Sequence, residues 1–275
     1  MTGPVLITGC SSGIGAATAR RLLADGHTVY ATARRPETLD DLAKEGAHVL
    51  ALDVTDEGSM AKAVSAIETE HGHVGALVNN AGYGAYGAVE DVPLDRVRAQ
   101  FETNVFGLAR LTQLVLPGMR EHGSGRIVNM SSMGGRLTFP FGGYYHASKH
   151  ALEAFSDALR YEVKPFGIKV SIVEPGLIAT RFGETAAGTM SAATPAGSPY
   201  LDAVKTVDEA MARSYRNKAM TAGPDAVAKA VAHAVSARRP RTRYVITRTA
   251  RALVTTRAVS PGPVWDRIVR ASFGV

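Results

Sequence analysis

The opening of the chain constrains the fold most, because a short apolar run is followed by a glycine-rich turn and a helical segment. Residues 5–7 have the pattern of a buried strand, and the turn carries the spacing Gly9-x-x-x-Gly13-x-Gly15. A helix is predicted from residue 16 to 24. Glycines let the backbone approach a pyrophosphate, and the free N–H groups and dipole of the helix N-terminus stabilise its charge. The opening therefore predicts a dinucleotide-binding unit.

Strand and helix patterns then alternate along the chain. Strands are predicted at 28–32, 49–52, 76–78, 126–130, 169–173 and 243–246, and helices at 36–44, 55–70, 94–119, 144–164, 200–216, 224–237, 250–258 and 264–271. This order predicts an α/β protein with a Rossmann-type doubly wound parallel sheet in a three-layer α/β/α arrangement. No repeat or linker interrupts it, so residues 1–275 are expected to form a single domain. Within it, 180–220 is the predicted substrate-loop region and 238–275 a basic C-terminal tail.

Composition and the N-terminus predict a cytoplasmic protein. The single cysteine, Cys10, forms no intrachain disulfide, which is typical of a reducing compartment. The first residues lack the cationic start and apolar run of a signal peptide. No apolar stretch approaches the roughly 20 residues of a membrane span.

The end of the second predicted strand indicates which dinucleotide is bound. A cofactor with a free ribose 2′-hydroxyl favours Asp or Glu there, but the chain has Ala33-Arg34-Arg35. Two guanidiniums are suited to a 2′-phosphate, so NADP is favoured, with NAD possible. The alternative is that either arginine simply caps the end of the sheet.

Two further turns lie at the carboxyl ends of predicted strands, where open α/β sheets bind ligands. Asp53-Val54 suits the adenine edge of a dinucleotide. The segment Asn79-Asn80-Ala81-Gly82 suits a close backbone approach along the cofactor. Turn chemistry alone could also explain either segment.

A candidate acid/base pair lies on the helix predicted at 144–164. Tyr145 and Lys149 are one turn apart and share a face. An ammonium beside a phenol favours the ionised form, so we expect the pKa of Tyr145 to fall from roughly 10 towards neutrality. Tyr144 lies about 100° around the helix from Tyr145, so it does not share the face of the lysine.

These features together resemble the short-chain dehydrogenase/reductase family. The matching motifs are Thr8-Gly9-x-x-x-Gly13-x-Gly15, Asp53, Asn79-Asn80-Ala81-Gly82, Asn104, Ser132, Tyr145-x-x-x-Lys149 and Pro175-Gly176-x-x-x-Thr180. They occur in the order of the family and cover residues 3 to 182. The tail, with Arg243-Tyr244 and Phe273-Gly274, is similar to that of steroid- and retinoid-dehydrogenase-like members.

The resemblance assigns roles to individual residues. Tyr145 would be the general acid/base, and Lys149 would lower its pKa and bond the nicotinamide ribose. Ser132, thirteen residues before Tyr145, would bond the substrate oxygen, and Asn104 would hold a water in a proton relay. Thr180 and the backbone of Ile178 would bind the carboxamide. The predicted cofactor-binding set is Gly9, Ser11, Ser12, Gly13, Ile14, Gly15, Arg34, Arg35, Asp53, Val54, Asn80, Ala81, Gly82, Tyr145, Lys149, Pro175, Gly176, Ile178 and Thr180.

The expected activity is that of an NADP(H)-dependent oxidoreductase interconverting a carbonyl and a secondary alcohol. Met133, Leu137, Phe139 and Phe141 lie between Ser132 and the tyrosine, which suggests a lipophilic substrate of sterol, retinoid or polyketide type. The same four residues could instead be core. Residues 184–199 are poor in large apolar groups and predict a mobile loop, a candidate lid. Family resemblance implies a homo-oligomer, dimer or tetramer, with contacts through the helices of Asn104 and Tyr145.

Other functions stay open at this point. One is a non-catalytic dinucleotide sensor on the same fold. Another is a nucleic-acid or membrane-surface protein using the tail, where residues 238–270 hold nine arginines and one acid, Asp266. A solvated surface that pairs with acids elsewhere is favoured, and no nucleic acid partner is expected. His146 and His150 share a helix face, but no third ligand is evident nearby, so no metal is predicted.

Overall fold

A parallel β-sheet forms the centre of the molecule in a computed structural model, which describes residues 3–180, 190, 191 and 193–274. Seven strands of the described chain form this sheet in the order β3-β2-β1-β4-β5-β6-β9, and every neighbouring pair is parallel. The short strands β7 and β8 pair with each other. The strands are β1 (Val5–Ile7), β2 (Val29–Ala33), β3 (His48–Ala51), β4 (Ala76–Asn79), β5 (Gly125–Met130), β6 (Ile168–Pro175), β7 (Leu177–Ile178), β8 (Thr221–Ala222) and β9 (Arg243–Ile246).

The direction of winding reverses at β1. The chain runs outward through β2 and β3, then crosses back to β4 and continues through β5, β6 and β9. This confirms the predicted Rossmann-type doubly wound sheet. The helices are α1 (Gly13–Ala24), α2 (Asp40–Lys44), α3 (Glu57–His71), α4 (Leu94–Phe101), α5 (Leu108–Glu121), α6 (Gly143–Val163), α7 (Leu201–Arg216), α8 (Pro224–Ser236), α9 (Arg248–Val259) and α10 (Gly262–Phe273).

Strand residues alternate between two apolar cores, one on each face of the sheet. Val5 and Ile7 belong to the core that packs against α1 and α8, whereas Leu6 belongs to the core against α3, α5 and α6. All three side chains are fully buried. Strands covered on both faces have apolar residues at consecutive positions, which is why residues 5–7 have no polar alternation.

The helical segment predicted at 94–119 is helical throughout, but a π-helical turn at Glu102–Gly107, which was not predicted, separates α4 from α5. Gly107 lies against the carbonyl oxygen of Val54 in the turn after β3, so closely that a Cβ there would be 2.0 Å from that oxygen. Such turns often occur at functional sites. The contact joins residues far apart in sequence, which is why helical periodicity did not reveal the π-helical turn.

The loop predicted at 184–199 is described only in part, and residues 184–189 and 192 lie outside the described residues. The described portion is anchored by side chains. Ser191 donates a hydrogen bond to Asp208 at 2.6 Å, and Ser198 donates one to Asp91 at 2.7 Å. A role for this segment as a lid stays a prediction.

The arginine-rich tail contains a partly buried ion-pair centre. Arg243, on β9, contacts Glu153 at 3.1 Å, Asp157 at 2.6 Å and Glu174 at 3.0 Å. It joins β9 to α6 and β6 and does not belong to a free surface patch. Also in the tail, Arg257 lies over the ring of Trp265, 5.8 Å from its centroid. Among the described residues, no helix combines the length and apolar character that a membrane span requires.

We predict that Gly107→Ala destabilises the protein. The added Cβ meets the Val54 carbonyl oxygen at 2.0 Å, so backbone must move, at a cost of about 1–3 kcal/mol. Urea unfolding followed by circular dichroism measures this loss. Gly262→Ala is the control, because the added Cβ has no atom within 4 Å. Equal unfolding free energies for the two variants would contradict the packing argument.

Candidate active site

A cavity of about 1030 Å³ opens at the carboxyl ends of the central strands. The turns after β1, β2, β3, β4, β5 and β6 all contribute to its wall. Arg35 and Asn104 do not line the cavity, whereas all the other predicted site residues do: Gly9, Ser11, Ser12, Gly13, Ile14, Gly15, Arg34, Asp53, Val54, Asn80, Ala81, Gly82, Ser132, Tyr145, Lys149, Pro175, Gly176, Ile178 and Thr180. The topology of the sheet thus brings residues from distant parts of the chain to one wall.

The glycine-rich turn has the shape required for an approaching pyrophosphate. Gly9 and Gly13 have φ of +73° and +57°, a region that favours glycine. At Gly15 a Cβ would lie 2.2 Å from the carbonyl oxygen of Gly9. The side chain of Ser12 does not cap α1, so the first N–H groups of the helix are available to an anion. The turn fits a dinucleotide.

Thr8 and Asn80 fasten this turn to the neighbouring one. The Thr8 hydroxyl accepts hydrogen bonds from the backbone N–H groups of Asn80 and Ala81, both at 3.0 Å. In return, the Asn80 side-chain amide donates to the carbonyl oxygens of Thr8 at 2.8 Å and Gly9 at 3.1 Å. Asn80 therefore positions the turn, and Thr8 is a site residue absent from the predicted set. The Thr-Gly pair at the end of the first strand was its sequence signal.

At the end of β2 only one of the two candidate arginines reaches the cavity. Arg34 lines the wall and is exposed, whereas Arg35 is exposed away from it, contrary to the prediction for that residue. The strand direction explains the difference, because consecutive side chains point to opposite sides of extended backbone. Neither guanidinium pairs with a carboxylate in the described part of the chain, so Arg34 is available to an anion.

Asp53 forms the turn after β3. Its carboxylate accepts hydrogen bonds from the backbone N–H of Thr55 at 2.9 Å and from the Thr55 hydroxyl at 2.8 Å. Both Asp53 and Val54 line the cavity. On the opposite wall, Gly176 packs so closely that a Cβ would meet the Thr247 hydroxyl at 2.4 Å, and Thr180 lies against Gly13.

Tyr145 projects from α6 into the cavity and is 6% exposed. Its phenol is hydrogen-bonded to Ser132, and its ring packs at 5.3 Å from that of Tyr86. Burial raises the pKa of Tyr145 to about 12, although the bond with Ser132 opposes this rise. The expected fall towards neutrality is therefore wrong for this state. Burial of the phenol is the larger effect, and the hydrogen bond with Ser132 only partly offsets it.

Lys149 is held one turn further along the same helix. Its ammonium donates to the carbonyl oxygen of Met130, at the end of β5, at 2.8 Å. Burial lowers the pKa of Lys149 to about 8, and the charge of Glu153 opposes that fall. Lys149 is thus close to losing its proton near physiological pH.

Asn104 lies behind the wall on the π-helical turn. Its amide donates to the Tyr83 carbonyl at 2.8 Å and to the Ser148 hydroxyl at 3.1 Å, and its oxygen accepts from the Tyr83 N–H at 3.1 Å. A Cβ on Gly82 would lie 3.0 Å from the Asn104 oxygen and 3.6 Å from the Lys149 nitrogen. The structure thus brings Asn104 and Lys149 against the same glycine. The predicted water relay stays a prediction.

Tyr144 and Ser131, the sequence neighbours of Tyr145 and Ser132, make different contacts. Tyr144 is half-buried and donates a hydrogen bond to the carbonyl oxygen of Val89 at 3.1 Å. Ser131 lies beside Glu153, whereas Ser132 reaches Tyr145. Helix and strand geometry therefore separate each pair of consecutive residues.

His146 shapes the wall as a neutral side chain. Burial lowers the pKa of His146 to about 4, and its Nδ1 lies 3.0 Å from the carbonyl oxygen of Gly134. His150 contacts the carbonyl oxygen of His146 at 2.8 Å. Within the described ranges, no group of three or more His, Cys, Asp or Glu side chains is arranged to hold a metal ion.

The remaining wall is largely apolar. Of the four residues considered for substrate contact, Met133 and Phe139 line the cavity, whereas Leu137 is buried in a core and Phe141 packs with another cluster. The sequence did not reveal the contributions of α7, α9 and α10, which come from distant segments. These are Met211, Ser214, Tyr215, Thr249, Ala250, Leu253, Ser272 and Phe273.

Comparison with known proteins agrees with this geometry. The family model described as short chain dehydrogenase matches residues 4–190. The uncharacterized oxidoreductase YbbO of Escherichia coli K12 is 37% identical over 271 residues, covering 98% of this chain and 95% of that protein. The NADPH-dependent 3-dehydrocapnine reductase of Ornithobacterium rhinotracheale is 35% identical over 260 residues, covering 88% and 87%. A crystal structure of a short-chain dehydrogenase from Streptomyces avermitilis is 36% identical with a TM-score of 0.79, covering 98% and 97%.

We predict that Thr8→Val weakens both the fold and dinucleotide binding, whereas Thr8→Ser preserves them. Valine has a similar shape but leaves the N–H groups of Asn80 and Ala81 without their acceptor, at a cost of about 1–3 kcal/mol. Serine retains the hydroxyl. Thermal unfolding and NADPH fluorescence titration provide the two readouts. A valine variant that matches the serine variant in both measurements would refute the role assigned to Thr8.

Proposed function

The chain belongs to the short-chain dehydrogenase family, and from this we propose that it is an NADP(H)-dependent oxidoreductase interconverting a carbonyl and a secondary alcohol of a lipophilic molecule. Membership makes it an enzyme acting on CH–OH groups with a nicotinamide dinucleotide. The preference for NADP, the catalytic roles and the kind of substrate are the proposal.

The hydrogen bond between Tyr145 and Ser132 carries the proposal. Both side chains face the cavity that the glycine-rich turn also lines, so a proton donor stands in the same space as the dinucleotide site. The glycine turn would hold the pyrophosphate through backbone N–H groups, and Thr180 and Ile178 would lie at the nicotinamide end. When bound, the nicotinamide supplies or accepts the hydride.

Tyr145 is the proposed general acid/base. With a pKa of about 12 the phenol is protonated at neutral pH, so it can donate a proton to the oxygen of a carbonyl being reduced. Ser132 holds that oxygen by a second hydrogen bond and stabilises its developing charge. The ammonium of Lys149 would bind the ribose hydroxyls. A protonated phenol is the form that the reduction step requires.

Arg34 supports the choice of NADP. Its exposed guanidinium lines the cavity at the end of β2, where the chain has no acid to bond a free 2′-hydroxyl. A guanidinium binds phosphate oxygens through parallel N–H groups. The similar 3-dehydrocapnine reductase is named as NADPH-dependent.

The lipophilic character of the substrate follows from the wall opposite the glycine turn. The lining residues from α7, α9 and α10 include Met211, Tyr215, Leu253 and Phe273, and none of the eight is charged. An apolar wall stabilises an apolar ligand by about 25 cal/mol for each Å² removed from water.

We also propose a homo-oligomer. Two large apolar side chains, Phe106 and Tyr161, are 56% and 71% exposed on the two helical segments that the family resemblance indicates as contact surfaces.

We predict that Tyr145→Phe lowers ketone reduction by about 10²–10⁴-fold and leaves NADPH affinity within a few-fold of wild type. Phenylalanine keeps the ring that packs on Tyr86 and removes only the proton donor. Stopped-flow or steady-state NADPH oxidation with a panel of lipophilic ketones measures turnover, and fluorescence titration measures binding. Tyr144→Phe is the matched control and retains turnover. Near-wild-type turnover in the Tyr145 variant would remove Tyr145 from the mechanism.

We predict that the wild-type enzyme has a lower KM for NADPH than for NADH. Arg34→Ala should raise the KM for NADPH at least tenfold and change the KM for NADH little. The guanidinium binds only the 2′-phosphate, so its loss selectively affects NADPH. Arg35→Ala is the control, because Arg35 does not line the cavity. A KM ratio unaffected by Arg34→Ala would refute the role of Arg34.

A further inference from the structure

A carboxylate is buried directly behind the proposed catalytic lysine. Glu153 follows Lys149 by one turn of α6, and both residues are 6% exposed. A buried carboxylate requires a partner, because leaving a charge unpaired away from water costs several kcal/mol. Arg243 is that partner, and its Nη2 and Nε lie 3.1 Å and 3.3 Å from Glu153 Oε2.

The end of β5 brings the carboxylate and the ammonium to the same side of α6. Lys149 donates to the carbonyl oxygen of Met130, and the next residue, Ser131, lies beside Glu153. Gly135 closes the packing, because a Cβ there would lie 2.7 Å from the Ser131 hydroxyl and 2.9 Å from the Glu153 Cγ. Met130, the last residue of β5, and Ser131, which follows it, therefore lie against the two charged side chains.

Further charges fix the state of this carboxylate. Arg243 is shared with Asp157 on α6 and Glu174 on β6, and Glu174 also contacts Arg136 at 3.4 Å. Glu174 is fully buried, and its burial together with the charge of Glu153 raises the pKa of Glu174 to about 7. Burial also raises the pKa of Glu153, whereas Ser131 and the two arginines oppose that rise. Asp157 in turn binds Arg160.

The charge state of Lys149 depends on the carboxylate of Glu153. Burial alone drives the lysine towards its neutral form, and the negative charge of Glu153 acts in the opposite direction. Among the described residues, uncharged groups also lie beside Lys149: the Met130 carbonyl, the amide of Asn104 beside Gly82, and the phenol of Tyr145 one turn before it. Glu153 is therefore the counter-charge built into its surroundings.

We propose that Glu153, held by Arg243, is a positioning residue whose carboxylate keeps the Lys149 ammonium charged at neutral pH. It lines no part of the cavity and acts only through the lysine. The proposal rests on the proposed function in one respect, namely that the enzyme uses the charged form of Lys149. The effect of Glu153 on the charge of Lys149 does not depend on which reaction the enzyme catalyses.

The test is a direct titration of Lys149 in the full-length protein. Lysine labelled with ¹³C at Cε is incorporated, and the Lys149 resonance is assigned by its absence from Lys149→Met. In Glu153→Gln we expect the pKa of Lys149 to fall by about one unit, because a nearby opposite charge of this kind supports the charged form by that amount or more. Glutamine keeps the shape and can still accept a hydrogen bond from Arg243.

Glu162→Gln is the matched control, because Glu162 lies on the same helix but is exposed. It should leave the Lys149 titration at its wild-type position. An unchanged pKa in folded Glu153→Gln, or an equal fall in the control, overturns the proposal. Should Glu153→Gln fail to fold, Glu153→Asp retains the charge on a shorter side chain. In that variant the pKa of Lys149 should fall by less than one unit, and an unchanged pKa overturns the proposal.

A second measurement separates this proposal from the proposed function. NADPH affinity is titrated between pH 6 and 9, where binding should weaken as the ammonium is lost with rising pH. In Glu153→Gln this weakening should begin about one pH unit lower, with affinity at pH 6 unchanged. If no carbonyl compound is reduced, the proposed function fails while the lysine titration still decides the role of Glu153. If reduction occurs and the titration does not move, only the positioning role fails.

Discussion

Parallel pairing of β1 with both β2 and β4 is the constraint on which the whole site depends. Because every strand of the sheet runs in the same direction, the turns that follow these strands open on one edge. Thr8 and Asn80 then lock two of the turns together through four hydrogen bonds between their segments. Backbone geometry thus supplies the cavity, and individual side chains refine it.

Burial and charge oppose each other at the end of this cavity. Burial alone keeps the Tyr145 phenol protonated and draws Lys149 towards its neutral form. A charge is retained in such surroundings only where an opposite charge is close. Glu153 provides it for the lysine, and Arg243 provides it for Glu153. The chemistry of the proposed site therefore depends on residues that never touch the cavity, including an arginine from the last strand of the sheet.

Local patterns predicted the regular elements well where their causes are local. The last strand has the predicted bounds 243–246, which its apolar pattern defines. Helix α8 begins at Pro224 as predicted, because proline is favoured in the first turn, and it ends one residue before its prediction. The π-helical turn was not foreseen, because Gly107 contacts Val54, which is distant in sequence. The choice between Tyr144 and Tyr145 needed only helix geometry. The choice between Arg34 and Arg35 needed the observed orientation of the chain after β2.

The amino-acid order alone determines the doubly wound sheet, the glycine turn and the residue types available for proton transfer, because these follow from periodicity and from the spacing of a few side chains. Tertiary structure decides how those side chains ionise, which ones reach the cavity and which helices close its apolar wall. The reason is physical. Desolvation and ion pairing depend on neighbours contributed by distant segments, such as Arg243 beside Glu153. Local sequence patterns do not identify these neighbours.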